Sequence, residues 1–218
     1  MILTHSYYLD PIELTEEQPQ TLIIERGDYF RSFVSELISQ TISGNGEFVL
    51  SEGSMMLDLN KNAVVISDIL SLEFDSRQIK NRLIQDLVLD CDETIVNNVV
   101  NSLNNLGYSF ASKSKHPISF NMNLTVSELV KLLDFRIDTE PYTDIENIFE
   151  YISVCSELLG KRLIIIVGLK DLVAEDEYME FEKMISYKKY TVLLIEHRQH
   201  AFDNSEFSYI IDEDLCSI

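Results

Sequence analysis

The sequence predicts an α/β protein whose sheet-forming parts are separated by a helical insertion. Two apolar runs, Leu163–Val167 and Thr191–Ile195, flank a helical segment near the C-terminus. Unbroken apolar runs of strand length mark strands covered on both faces. A third run of this kind, Thr21–Glu25, lies near the other end of the chain. Between them, apolar residues recur at steps of three and four, the period of helices. Two separate α/β domains of about 60 residues would each be marginal. Residues 1–75 and 160–218 are therefore expected to form one discontinuous α/β head, and residues 76–159 an inserted helical domain.

The elements follow in order. After the strand at Thr21–Glu25, Asp28 caps a helix running to Gln40, with Phe30, Phe33, Val34, Leu37 and Ile38 on one face. Ser43-Gly44-Asn45-Gly46 is a turn. Glu47–Leu50, Met55–Leu59 and Ala63–Ile66 read as short strands. Ser76 caps a helix whose apolar positions Ile79, Leu83, Leu87, Val88, Cys91, Ile95 and Val99 carry it to about Leu106, with Gly107 as its stop. Such a helix would be about 45 Å long, so it should project or pair with other helices. Thr125–Leu133 is a shorter helix, opened by Thr125 with Glu128 three residues on. Thr143 and Glu146 open the next one, which buries Ile145, Ile148, Phe149, Ile152, Cys155 and Leu159 and ends at Gly160. A helix over about Glu175–Tyr187 joins the last two apolar runs, and strand–helix–strand implies a parallel sheet. Phe207–Ile211 reads as an edge strand.

Composition narrows the function. Apolar residues at 45% and charged residues at 25% give a globular chain with a sizeable core. No apolar run approaches the ~18 residues that span a bilayer, and Met1–His5 does not open a signal peptide. A reducing cytoplasm is the expected setting. Cys91, Cys155 and Cys216 make no disulfide framework and no zinc spacing; Cys91 and Cys155 read as core. The net charge of −20 is unevenly spread. Residues 1–60 and 132–160 are net −8 and −6, whereas 61–131 are only −1 and 161–218 are −5. Since charge acts over about 8 Å at physiological salt, a local basic face can work on a negative whole.

Enzyme signatures are missing. There is no GxxxxGK[ST] and no GxGxxG, so phosphate binding has no glycine-rich cradle. Gly168–Asp171 follows a buried strand and Glu196 ends another, as a magnesium-binding acid would, but Glu196 reads as a solvated or interface acid. His197 and His200, with Asp203 nearby, form a weak HxxH pattern and read as surface histidines. What remains is a set of basic residues able to contact phosphate: Arg77 and Lys80 on the long helix, Lys113 and Lys115 after it, Lys161 and Arg162 before a strand, and Lys188 and Lys189 between two tyrosines at a helix end.

Several segments are similar to the Csn-type accessory adaptation proteins of type II-A CRISPR–Cas systems. They are Val65–Leu70 with Asp75-Ser76 and Ile79–Leu87, Asp138–Glu140 leading into Ile148–Glu150, Lys161–Val167, Thr191–Arg198 and Tyr209–Asp214. The resemblance is collinear over most of the chain and weakest at residues 88–120. It implies a head related to P-loop NTPases, with a mainly parallel sheet but no phosphate loop, and an inserted α-helical domain. It implies a homotetrameric ring that binds double-stranded DNA ends without sequence preference, has no catalytic activity, and works beside the CRISPR integrase complex and the RNA-guided effector nuclease in spacer acquisition. The resemblance also implies calcium near the start of the second helix. Here that stretch is Phe120-Asn121-Met122-Asn123-Leu124, and only Glu128 keeps an acid, so most ligands of a calcium site are missing. The alternative is an acidic scaffold that binds adaptation proteins without gripping DNA.

Overall fold

Strands buried on both faces must sit between two layers of other elements, and the fold is organised around that requirement. The computed structural model describes residues 1–6, 9–138, 144–203 and 207–216. In chain order the elements are β1 (Ile2–His5), β2 (Leu9–Glu13), β3 (Gln20–Ile24), α1 (Gly27–Ser43), β4 (Phe48–Glu52), β5 (Met55–Leu57) and α2 (Leu59–Asn62). Next come β6 (Ala63–Ile66), α3 (Arg77–Leu89), α4 (Glu93–Lys113), α5 (Val126–Leu133) and α6 (Asp144–Ser153), which runs on into a π turn, Val154–Leu158. The chain closes with β7 (Leu163–Val167), α7 (Glu175–Lys188), β8 (Val192–Glu196) and β9 (Ser208–Ile211). No described helix is long and apolar enough to cross a membrane.

The head is a mixed α/β unit. Its five-stranded sheet has the order β6-β7-β8-β3-β9, with every pairing parallel. Alternation along each strand divides the core in two. Leu163 and Ile165 of β7, with Leu193 and Ile195 of β8, pack on one side with Leu22, Ile24, Phe33 and Leu37. Ile164 and Ile166, with Val192 and Leu194, pack on the other with Ile148, Ile152, Phe181 and Ile185. A second, antiparallel sheet, β2-β1-β4-β5, adds Leu3, Ile12, Phe48 and Leu50 to the first side. Gln40 of α1 docks this sheet: its side chain accepts from the Phe48 N–H at 2.9 Å and donates to the Phe48 carbonyl at 2.7 Å.

The sequence reading needs four corrections. The chain divides into Met1–Glu73 with Thr139–Ile218 and, separately, Phe74–Asp138. The insertion therefore ends near 138 and not at 159, because Ile145, Ile148, Ile152 and Cys155 of α6 and its π turn complete the head's core. The single long helix is two helices. Asp92 accepts from the N–H groups of Thr94 at 2.8 Å and Ile95 at 3.3 Å, an N-cap that starts α4 afresh; Cys91, in the break, is only partly buried. Gly107 lies inside α4, where a Cβ would fall 2.4 Å from Cε2 of Phe120, so the glycine admits an aromatic ring instead of ending the helix. The strand expected over Met55–Leu59 gives way at Asp58, which caps α2 by accepting from the Asn60 N–H. The expected cap at Thr143 lies outside the described residues.

If α6 belongs to the head's core, Ile148→Ala, at a side chain 2% exposed, lowers the stability of the sheet-containing unit by about 2–5 kcal/mol. Urea unfolding followed by far-UV circular dichroism measures this; a change within error would remove α6 from the core.

Candidate nucleic-acid interface

Phosphate contact needs a cation that is exposed and not already held by a carboxylate. The eight basic residues divide sharply on this test. Lys80 pairs with Asp75 at 3.2 Å, Arg162 with Glu52 at 2.6 Å, and Lys188 with Glu157 at 3.2 Å. Lys161 is half-buried, donates to the Asn60 carbonyl at 2.6 Å, and has its pKa drawn below the ordinary lysine value by burial. Arg77, Lys113, Lys115 and Lys189 are exposed, and none forms an ion pair with a described residue. An exposed pair is worth little, so the three paired cations are attenuated rather than lost; the unpaired four meet phosphate at no exchange cost.

Local structure positions each group. Lys113 and Lys115 sit at the C-terminal end of α4, where cations are favoured by the helix dipole. Lys189 is the C-cap of α7 in a left-handed conformation, φ 58°, with its N–H satisfied by the Ile185 and Ser186 carbonyls. In the head, Lys161, Arg162 and Lys189 line one cleft of about 860 Å³, together with Glu16, Glu17 and Glu52. The cleft therefore mixes both signs. Arg77, Lys80, Lys113 and Lys115 belong to the 74–138 unit.

Glu128 is committed to a capping box: its carboxylate accepts from the Thr125 N–H at 2.7 Å and the Thr125 hydroxyl at 2.8 Å. These bonds hold its pKa below the ordinary carboxylate range. With no carboxylate among residues 120–124, the residues present do not fit a calcium site there.

The C-terminal edge of the parallel sheet is where α/β folds place ligand sites. Here α1 enters through Glu25-Arg26-Gly27, and its first turn is already served by an acid. Asp28 accepts from the Tyr29 N–H at 2.9 Å and pairs with Arg26 at 2.8 Å. An anion in that place would meet a carboxylate. Beside it lies a polar cluster containing Glu196, expected to be a solvated or interface acid, and His200, expected on the surface; burial overturns both expectations. Glu196 has no exposed surface, and Lys170 is 4% exposed. The Lys170 ammonium donates to Asp203 at 2.5 Å and Thr21 at 3.0 Å, 4.6 Å above the Tyr178 ring. The Lys170 N–H donates to Glu196 Oε1 at 3.0 Å. His197 is an exposed residue as expected, whereas the His200 side chain is only 10% exposed. Burial pushes the Glu196 carboxyl up to about 7, against the Lys170 N–H bond.

A carboxyl raised on folding favours the native state below its unfolded pKa and loses that advantage as pH rises through about 7. Glu196→Gln therefore flattens the fall in stability between about pH 5 and about pH 8, a change on the order of 3 kcal/mol. Thermal midpoints across that range check it; parallel profiles for both proteins would refute it.

Comparison with known proteins places the chain near one family. The family model described as CRISPR-associated protein (Cas_Csn2) matches residues 40–215. The CRISPR-associated protein Csn2 of Streptococcus agalactiae is 32% identical over 95 residues, 44% of this chain. That match spans 42% of the relative's own length.

Proposed function

Because this chain belongs to the Csn2 family of CRISPR-associated proteins, we propose that it acts in spacer acquisition as a homotetrameric ring that threads onto free ends of double-stranded DNA. The observation that carries the reading is that Arg77, Lys113, Lys115 and Lys189 are exposed cations without acid partners among the described residues. On a chain of net charge −20, one such group is too sparse to hold a duplex. Repetition around a ring makes it dense, while the acidic remainder repels DNA elsewhere. Backbone contacts carry no base information, so binding is sequence-blind. A closed ring is entered only at an end.

A surface for assembly exists in α4. No residue of this helix is buried. Ile95, Val99, Leu106 and Phe110 are 63%, 42%, 49% and 61% exposed. Their spacings of four, seven and four place them within roughly 60° of arc, an apolar stripe of the kind that pairs with another helix. A second copy of this chain is the proposed occupant. The head is proposed to descend from a P-loop NTPase-like fold whose phosphate cradle has been replaced by the Arg26–Asp28 entry to α1. Binding and threading require no catalytic step. The acidic faces are proposed to meet the CRISPR integrase complex and the RNA-guided effector nuclease, in the cytoplasm.

Two experiments test the reading. In a mobility-shift assay at low salt, linear duplex is retarded and a covalently closed circle of the same sequence is not. K113E/K115E loses affinity for linear duplex, and the slope of log K against log[salt] shrinks by about 0.9 for each phosphate contact removed. Equal binding of circle and line would sink the threading model, and unchanged binding by the double variant would sink the residue assignment. V99D/F110D lowers the particle mass in light scattering; an unchanged tetramer would take α4 out of the interface.

A further inference from the structure

The polar cluster at the C-terminal edge of the sheet holds two enclosed potential ligand atoms that make no hydrogen bond. Glu196 has no exposed surface. Its Oε1 takes the Lys170 N–H, while its Oε2 is enclosed without a hydrogen-bond partner. The His200 side chain is 10% exposed, and its Nε2 is likewise enclosed, with no hydrogen bond and only a 3.4 Å ion-pair approach to Asp171 Oδ1. Enclosed polar atoms without partners are costly and rare in native proteins. These two belong to residues that, with Asp171, bring three potential ligand atoms within 4.8 Å of one another. Lys170 does not fill the gap, because its ammonium is turned to Asp203 and Thr21. On its outer side Asp171 is oriented by Arg198 at 2.6 Å and His197 at 3.1 Å, the kind of outer-shell support that fixes a ligating carboxylate.

We propose that Asp171, Glu196 and His200 form a binding site for one first-row divalent transition cation, of the zinc type. The chemistry of the donors selects the ion. Two carboxylates and one neutral imidazole make a three-ligand set with a free fourth position, a composition suited to zinc. Calcium needs six to eight oxygens, and the single nitrogen together with the small number of donors disfavours it. The anionic charge of Asp171 and Glu196 balances the ion, and the His200 Nε2 lone pair exchanges its long 3.4 Å approach to Asp171 for a bond to the ion. The site is independent of the DNA-binding reading: none of its three residues is among the eight cations. Bound there, an ion would tie Asp171, in the loop after β7, to Glu196 at the end of β8 and His200 in the loop that follows.

Titration of the full-length chain, stripped with a chelator, with zinc alone in an isothermal calorimeter tests this. Wild type takes up one equivalent per chain and rises in thermal midpoint. Glu196→Gln keeps the side chain's size and its acceptor for the Lys170 N–H, and weakens binding by ~100-fold or more. His200→Ala does the same and abolishes the visible absorption of the cobalt-loaded protein. Cys216→Ser, which removes an exposed thiol, leaves both readouts unchanged. Absence of a stoichiometric step in wild type, or equal binding by the Glu196 and His200 variants, overturns the proposal. Loss of binding on Cys216→Ser assigns the ion to the thiol and overturns it as well.

Discussion

The constraint on which the head depends is that β7 and β8 have no solvent face. Leu163–Ile166 and Val192–Ile195 are all essentially buried, and a strand of that kind stands only when both of its sides are covered. This calls for α1 and the antiparallel sheet on one side, and α6 and α7 on the other. Covering both faces leaves the strand ends as the place where polar groups can gather. Parallel pairing puts the C-terminal ends of all five strands on the same edge, so Glu196, Lys170 and Asp203 meet there although they are far apart along the chain. The buried cluster is thus a by-product of the sheet's topology. Hydrogen bonds to Asp203 and Thr21 explain how the Lys170 ammonium is tolerated at almost no exposure, whereas Glu196 takes only the Lys170 N–H.

The 74–138 unit follows a different rule. Its longest helix buries no residue, and its aromatic packing is local: Tyr108 stacks edge-on with Phe120, whose ring lies over Gly107. A 21-residue helix with a continuous apolar stripe gains little from its own chain. Its stability depends on what covers the stripe, and under the proposed assembly a second copy would supply a matching face without requiring a different partner. Such a division of labour, a self-sufficient head and an insertion that needs company, suits a protein that works only when assembled.

Much of this layout is legible in the sequence, and the exceptions have identifiable causes. Continuous apolar runs announced β3, β7 and β8, since burial on both faces leaves no room for alternation. The first two strands were not foreseen. β2 holds Pro11 and two acids and lies at a sheet edge, the one place a proline is tolerated in a strand. The break between α3 and α4 was hidden because Ile95 continues the apolar spacing of Leu87 and Cys91; what divides them is the capping carboxylate of Asp92. Among the basic residues, sequence located the cations but not their partners. Arg162 finds Glu52 and Lys188 finds Glu157 through tertiary contact, and no local pattern encodes either pair. His200 forms an HxxH pattern with His197, yet its neighbours in space are Glu196, at the end of β8, and Asp171, in the loop after the adjacent β7.

The pairing of three cations also bears on how a ring of this kind would hold DNA and still move. A cation already bound to a carboxylate exchanges one partner for another when phosphate arrives, so its net gain is small. A wall built wholly of free lysines would bind each phosphate more strongly and hold the duplex in register. On the proposed ring, mixing a free group such as Lys189 with tethered ones such as Arg162 and Lys188 would lower the gain per contact and smooth the energy from one base pair to the next. Glu16, Glu17 and Glu52 beside Lys161, Arg162 and Lys189 act in the same direction. Weak, evenly spread attraction inside a closed loop retains the duplex by topology and leaves it free to slide. Under the proposed function, the acids near the basic groups would belong to the DNA-handling surface and would not be merely the solubilising charge of an acidic protein.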